Sequence, residues 1–414
     1  MNEAKQKFRL TSLERAWILY DVGNSAFVLL VATLIPIFFN ALAEGGGLSS
    51  VEYLAYWGYA ASAVTVITAV LSPILGTLAD TRNFKKPIFT FCVAVGVIGC
   101  CAMGMASTWL PFLLIFIFAK VGFSGSLVFY DSMLSDVTVP DRMDEVSSKG
   151  YAWGYIGSCV PFVVCLALVL GAGSIGISQM KALNLALLIT AAWWLVTTLP
   201  LLRQYKQVHF VEVQEHAIRQ SFARIGHTLR HLKEDRQVFW FLLAFFCYID
   251  GVYTIIDMAT AYGTALGLDT TGLLLALLVT QIVAFPSALV FGRLSGQYPS
   301  GTLIPVCIAA YAGIALFAFF LKHQWQFWVL AVVVGMFQGG IQALSRSHFA
   351  KIIPPEKSGE YFGLFDICGK GASFLGTMIV SVGSQLTGSA NVGVGSLIVL
   401  FIVGFVLFRV SDQK

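Results

Sequence analysis

The sequence predicts an all-α polytopic membrane protein, twelve transmembrane helices in two six-helix bundles, on three observations. Of its 414 residues 57% are apolar and 12% charged, with a mean hydropathy of +0.79, too greasy for a soluble domain. Twelve stretches reach the roughly 20 apolar residues that a helix needs to cross a bilayer. Lys and Arg gather in alternate connections, the asymmetry that orients membrane proteins.

The expected spans lie at about 15–42, 51–79, 86–107, 109–136, 147–172, 180–202, 237–265, 270–296, 302–321, 325–352, 358–386 and 391–409. Trp17, Trp57, Trp109, Trp240, Trp325 and Trp328 fall near span ends, where amphipathic rings settle. With the N-terminus in the cytoplasm, almost all of the 26 Lys and Arg fall on that side. The exceptions are Lys181 and Lys322 outside and Lys120 and Lys370 within spans. Both termini are therefore expected in the cytoplasm. The polar start MNEAKQKFRLTSLER runs into a full-length span, so no cleavable signal peptide is expected.

A polar stretch, 203–236, separates residues 1–202 from 237–414, six spans on each side. Within it EHAIRQSFARIGHTLRHLKEDR reads either as a basic amphipathic helix on the membrane face or as a solvated tether. The halves echo one another. YDVGNSAF (20–27) pairs with YIDGVYTI (248–255), and SPILGTLAD (72–80) with ALVFGRLSG (288–296). PDRMDEVSSKGYAWGYIG (140–157) pairs with PPEKSGEYFGLFDICG (354–369). Equal patterns at equal depth are what a parallel repeat leaves.

The 8 cysteines lie in apolar runs without a C-x-x-C pair, so no disulfide framework and no zinc site are expected. The sequence offers no acid–His–nucleophile set inside the spans, no cofactor motif and no nucleotide-binding motif. It argues against an enzyme and for transport driven by an ion or solute gradient.

Charge inside the spans then marks the path. Asp21 lies in helix 1, Lys120 and Asp131 in helix 4, Asp250 and Asp257 in helix 7, Arg346 at the end of helix 10, and Asp366 and Lys370 in helix 11. Buried charges of this kind face a bundle interior or water, so these five helices are expected to surround a wet cavity. Spacing agrees, since residues three, four, seven or eleven apart share a helix face. Asp21, Asn24 and Ser25 form one stripe, and Asp250, Thr254 and Asp257 another. Lys120, Ser124 and Asp131 form a third, and Gln338, Gln342 and Ser345 or Arg346 a fourth.

Alternatives stand beside each stripe. Asp21, Asn24 and Ser25 could serve helix packing alone. Asp250 is the first candidate for a proton carrier, with Asp21 second, because burial disfavours the charged carboxylate. Asp257 reads as an outer-mouth residue. Lys120 would meet an anionic part of a solute or pair with Asp21 or Asp250 across the bundle. Asp366 and Lys370 read as a structural ion pair, and Asp136 and Asp141 as rim salt bridges.

The layout resembles the major facilitator superfamily. GTLADTRNFKK (76–86) is similar to its loop between helices 2 and 3, which implies a latch between the halves at the cytoplasmic side. Gly76, Asp80, Arg82, Lys85 and Lys86 would form that gate, with Arg346 joining it. GRLSGQYPSG (292–301), the second copy, lacks the acid, so the latch is expected to be one-sided. YDVGNSAF, GGIQALSRSHFAKIIPP (339–355) and EYFGLFDICGKGASFLG (360–376) resemble the vacuole-effluxer family, autophagy-related vacuolar amino-acid effluxers and their bacterial relatives. Val22 and Gly23 stand where that family has Trp-Ala.

The resemblance implies a bacterial inner-membrane transporter of amino acids or related metabolites, working as an exporter by alternating access. The expected partners are a small solute, a proton and the lipid bilayer. Nucleic acid is not expected, and a monomer is. The competing reading is a lipid or lysolipid flippase with a cavity open to the bilayer.

Overall fold

A computed structural model of the chain describes residues 9–212, 230, 232 and 234–412. The expected linker helix falls almost wholly outside the described residues. The first lobe holds α1 (Ser12–Ala32, continued by Leu34–Gly45), α2 (Ser50–Ala79), α3 (Lys85–Met103), α4 (Trp109–Ser132), α5 (Pro140–Leu170) and α6 (Gln179–Gln204). The second holds α7 (Arg236–Ala265), α8 (Thr270–Leu294), α9 (Ser300–Phe319), α10 (Gln324–Ile352), α11 (Ser358–Thr387) and α12 (Ile398–Asp412). Among the described residues 11 helices are long and apolar enough to cross a membrane. The remaining expected span, α11, carries Glu360, Asp366 and Lys370 along its 30 residues.

Local chemistry sets where these helices begin. Thr11 and Glu14 close a capping box at α1, and Ser49 and Glu52 close one at α2, each satisfying amides that a first turn leaves bare. Asp235 and Asp269 cap α7 and α8. The fifth span begins earlier than its hydropathy suggested, at Pro140, because proline's fixed φ and missing N–H suit a first helical position. Thr33 interrupts α1; its hydroxyl bonds the Leu29 carbonyl at 2.5 Å and its φ is −132°.

Helix packing repeats between the halves. In the first lobe α1 packs on α5 and α6, and α4 on α2 and α3; in the second α7 packs on α11 and α12, and α10 on α8 and α9. The lobes meet along α2–α11 and α5–α8. At the first seam backbones nearly touch: a Cβ at Gly76 would lie 2.2 Å from the Gly359 carbonyl oxygen. Trp17 does not sit at a membrane boundary. It is fully buried, stacked on Tyr130 at 4.3 Å, because the polar ring of Arg346 contacts described below recruits it inward.

Candidate solute chamber and gate

A chamber of roughly 1380 Å³, counting space open to solvent, lies between the lobes. Asp21, Asn24, Asp131, Asp257, Gln338, Gln342, Arg346 and Asp366 line it, from α1, α4, α7, α10 and α11. Those are the five helices picked out by their charges. The sequence reading missed Tyr151, Tyr155, Tyr253 and Gln281, which also line it. Polar stripes found by charge do not reveal rings, which look like ordinary core.

Other expected residues lie elsewhere. Asp250 is fully buried inside the second lobe, not on the chamber. Its Oδ1 accepts the Gly376 N–H at 2.8 Å and the Thr254 hydroxyl at 3.3 Å, while Oδ2 has no partner. The geometric reason is Gly376: without a side chain it lets α11 approach so closely that a Cβ there would lie 2.6 Å from Oδ1. Thr254 accordingly faces an apolar pocket of the second lobe. Lys120 lies over the Phe123 ring at 4.7 Å and is not among the chamber residues. The Lys370 side chain falls outside the described residues, and Asp366 takes the Ser72 hydroxyl at 2.7 Å across the lobes.

Arg346 is the charged centre of the arrangement. It extends from α10 into the first lobe and is 2% exposed. Its Nη1 donates to Asp131 Oδ1 at 3.0 Å, and Nη2 lies 3.6 Å from Asp21 Oδ2. Nε donates to the Ser147 hydroxyl and Nη2 to the Ser147 carbonyl. The rings of Trp17, Tyr130 and Tyr151 stand 4.6, 5.3 and 4.3 Å from its carbon. A guanidinium suits such a site because its plane stacks on rings while its edge donates. Neighbouring bonds from α10 to α5 extend the contact. The Ser347 hydroxyl and Lys351 Nζ each donate to Asp144 at 2.6 Å, and Ser147 donates to the Ala343 carbonyl.

The expected gate loop forms a second cluster at the same end. Asp80 is fully buried and accepts the Gly359 and Glu360 amides at 2.7 and 2.8 Å. A carboxylate at a helix N-terminus gains both orphan donors and the helix dipole. Lys85, also buried, donates to the Ser358 hydroxyl at 2.8 Å and lies 3.6 Å from Asp80 and 3.8 Å from Asp136. Arg82 departs from expectation. It is exposed and meets Phe210 and Glu212 of the linker instead of the other lobe, since Asp80 and Lys85 already fill the seam. Lys86 is half-buried beside these contacts.

The linker's first residues strap this cluster. Val211 pairs with Thr81 in a single parallel bridge. Asp136 accepts the Tyr205 hydroxyl at 2.5 Å, the His209 amide at 2.8 Å and pairs with the His209 ring at 3.0 Å. Burial opposes its charge, but His209, Lys85 and Tyr205 hold the Asp136 carboxyl below the usual carboxylate range. The same hydrogen bond raises His209 above its usual value, against partial burial. Among the described residues, hydrogen bonds and ion pairs between the lobes lie at this basic end or at mid-depth.

Two comparisons decide the kinship. A family model described as "Vacuole effluxer Atg22 like" matches residues 12–141 and 135–414. This chain belongs to that family. It is 42% identical over 411 residues to the MFS-type transporter YxiO of Bacillus subtilis (strain 168), covering 98% of this chain and 96% of that protein. It is 25% identical to autophagy-related protein 22 of Saccharomyces cerevisiae (strain ATCC 204508 / S288c), over 66% of this chain and 59% of the yeast protein. Among solved structures, the transporter FucP in its outward conformation superposes with a TM-score of 0.73 at 17% identity, covering 97% and 98% of the two chains. The human organic anion transporter MFSD10 gives 0.72 at 14%, covering 96% and 98%. The effluxer-family chain thus has the major facilitator fold, is a multi-pass protein of the cell membrane, and has transporters, not enzymes, as its relatives.

Proposed function

We propose that this chain is a secondary transporter that exports a small organic solute, an amino acid or related metabolite, by alternating access. The observation that carries this reading is a charge-lined chamber between two lobes that are bonded together at one end. That end is the basic one, which the charge pattern assigns to the cytoplasm, so the arrangement is outward-facing. Opening inward means parting Asp80 from α11 and Arg346 from Asp131. The kinship with vacuole effluxers supports the direction. The chain acts as a monomer, since each lobe pair encloses its own chamber.

Asp250 is the proposed proton site, although it stands off the chamber. Its unpartnered oxygen is buried where a charge is costly, and its other oxygen holds the backbone of α11. Gaining a proton there would alter the grip on α11, which also forms the latch. Proteoliposomes test the reading: solute flux should be driven by a pH gradient and, in Asp250→Asn, continue only as exchange. Normal pH-driven flux in that variant removes Asp250 from the mechanism. Lysolipid flux in place of soluble-solute flux would favour a flippase.

A further inference from the structure

We propose that the chamber recognises an organic ammonium group, with Asp257 as its counter-ion and an adjoining apolar pocket as the seat of the solute's hydrocarbon body. This rests on reading the chamber as the solute path and narrows the solute, within amino acids and related metabolites, to amines whose carboxylate is absent or masked. Three observations lead to it.

The first is a surplus of acceptors. Asp257 lines the chamber and is exposed to its space, and its carboxylate makes no hydrogen bond or ion pair among the described residues. Lys120, on α4, is the cation whose field reaches it. Gln338, on α10, is 5% exposed and its amide oxygen has no partner. A buried acceptor such as that of Gln338 is satisfied by a ligand that brings donors, and the Asp257 carboxylate beside it supplies the opposite charge. Tyr253 stands one helical turn before Asp257 and also lines the chamber, giving a ring face of the sort that attracts ammonium.

The second is that the guanidinium lining the chamber is already engaged. Each nitrogen of the Arg346 guanidinium donates to Ser147 or Asp131, and rings cover it. A solute carboxylate would meet Asp21, Asp131, Asp257 and Asp366, with every Arg346 nitrogen already bonded to protein and its positive charge shared by Asp131 and Asp21. Lys370 stands one turn beyond Asp366 on α11 and enters the test as the rival.

The third is the neighbouring pocket. It shares Ile256, Gln281 and Gln338 with the chamber, and its wall continues through Met258, Leu330 and Ala331. Ile256 and Met258 flank Asp257 in sequence, so the acid stands where wet space meets dry. An amine with an apolar body would place its charge on one side and bury its hydrocarbon on the other, each CH₂ contributing through the hydrophobic effect.

A matched series decides the matter: phenethylamine, L-phenylalaninamide, L-phenylalanine and 3-phenylpropionate, titrated calorimetrically against the purified full-length protein. The two compounds without a carboxylate should bind at least tenfold more tightly than L-phenylalanine, and phenylpropionate should not bind. Asp257→Asn should weaken phenethylamine at least tenfold, Asp257→Glu should restore most of it, and Ala331→Trp, which fills the pocket, should weaken it too. L-Phenylalanine binding as well as the amines, and losing its affinity in Lys370→Met, would overturn the proposal. So would unchanged amine binding in Asp257→Asn; where that variant does not fold, the order of the four compounds on the wild type decides. Flux of another solute without amine binding sinks the ammonium reading and leaves transport standing. Amine binding without flux of any solute does the reverse.

Discussion

Of the helix pairs that join the lobes, two related by the repeat, α2–α11 and α5–α8, are built from different materials. At α2–α11 a buried carboxylate, Asp80, holds two amides of the opposite lobe, with buried Lys85 beside it. At the repeat-related α5–α8 seam the corresponding loop, GRLSGQYPSG, carries no acid. Contact there is steric: a Cβ on Gly292 would lie 2.8 Å from the Ser148 Cβ. The reason is visible in the helix each seam receives. α11 follows a short turn at Pro355–Lys357 and has no side-chain cap of its own, so its first amides need an acceptor from elsewhere. α5 starts on Pro140, which has no amide to satisfy, and its Arg142 is held within the lobe by Glu14 at 2.7 Å. The α2–α11 seam is thus an electrostatic latch and the α5–α8 seam a steric one, while α5 makes its polar bonds toward α10, its Asp144 taking Lys351 and Ser347. The lobes should slide more readily along α5–α8 than along α2–α11.

The largest expected effect follows from cutting the latch. Asp80→Ala leaves two amides without their acceptor and Lys85 with Asp136 as its remaining carboxylate, and breaking a buried pair costs about 3–5 kcal/mol. Hydrogen exchange at the Gly359 and Glu360 amides should accelerate by about a hundredfold or more, while the first turn of α5 keeps its protection. Equal acceleration at both seams would erase the distinction.

Next come the glycines. Gly76→Ala drives a methyl into the backbone of α11, which has nowhere to go, and overpacking of this sort costs about 1–3 kcal/mol or more. Gly292→Ala meets only a serine side chain. Melting of the purified protein should therefore fall further for Gly76→Ala, and Ser148→Gly should rescue Gly292→Ala alone. Rescue of neither, or equal losses, would show both seams to be backbone contacts.

The smallest effect concerns the strap. Because the Asp136 bond raises His209 above its unfolded value of 6.5, that contribution is complete below this value. It is lost as pH rises through the raised one. The ring is 34% exposed, so solvent screens the pair. Exchange at residues 207–212, corrected for its intrinsic rise with pH, should quicken as pH climbs above 6.5, and His209→Gln should flatten the dependence. A profile unchanged by that variant assigns the pH response to another group.

Much of this could be read from residue order alone. Hydropathy located the helices because lipid demands long apolar runs, and charge located the five chamber helices because unpaired ions do not face lipid. Asp21, Asp131 and Arg346 announced themselves in this way. What stayed hidden depends on which way a helix is turned. Asp250 and Asp257 share one sequence stripe, yet only Asp257 reaches the chamber, because Gly376 draws α11 against Asp250. Trp17 and Tyr151 gave no signal, since a ring that stacks on an arginine has the same letters as one that packs on leucine. The receiving end of Asp80 was also invisible, because main-chain amides have no residue type.

The caged Arg346 has a consequence for the transport cycle. Withdrawing α10 would take from Asp21 and Asp131 the positive charge they share, at the wall of the chamber. Under the alternating access proposed above, a proton or a cationic solute would take its place. A vacant carrier would then be slow to reset, and counterflow would outrun net movement down a gradient.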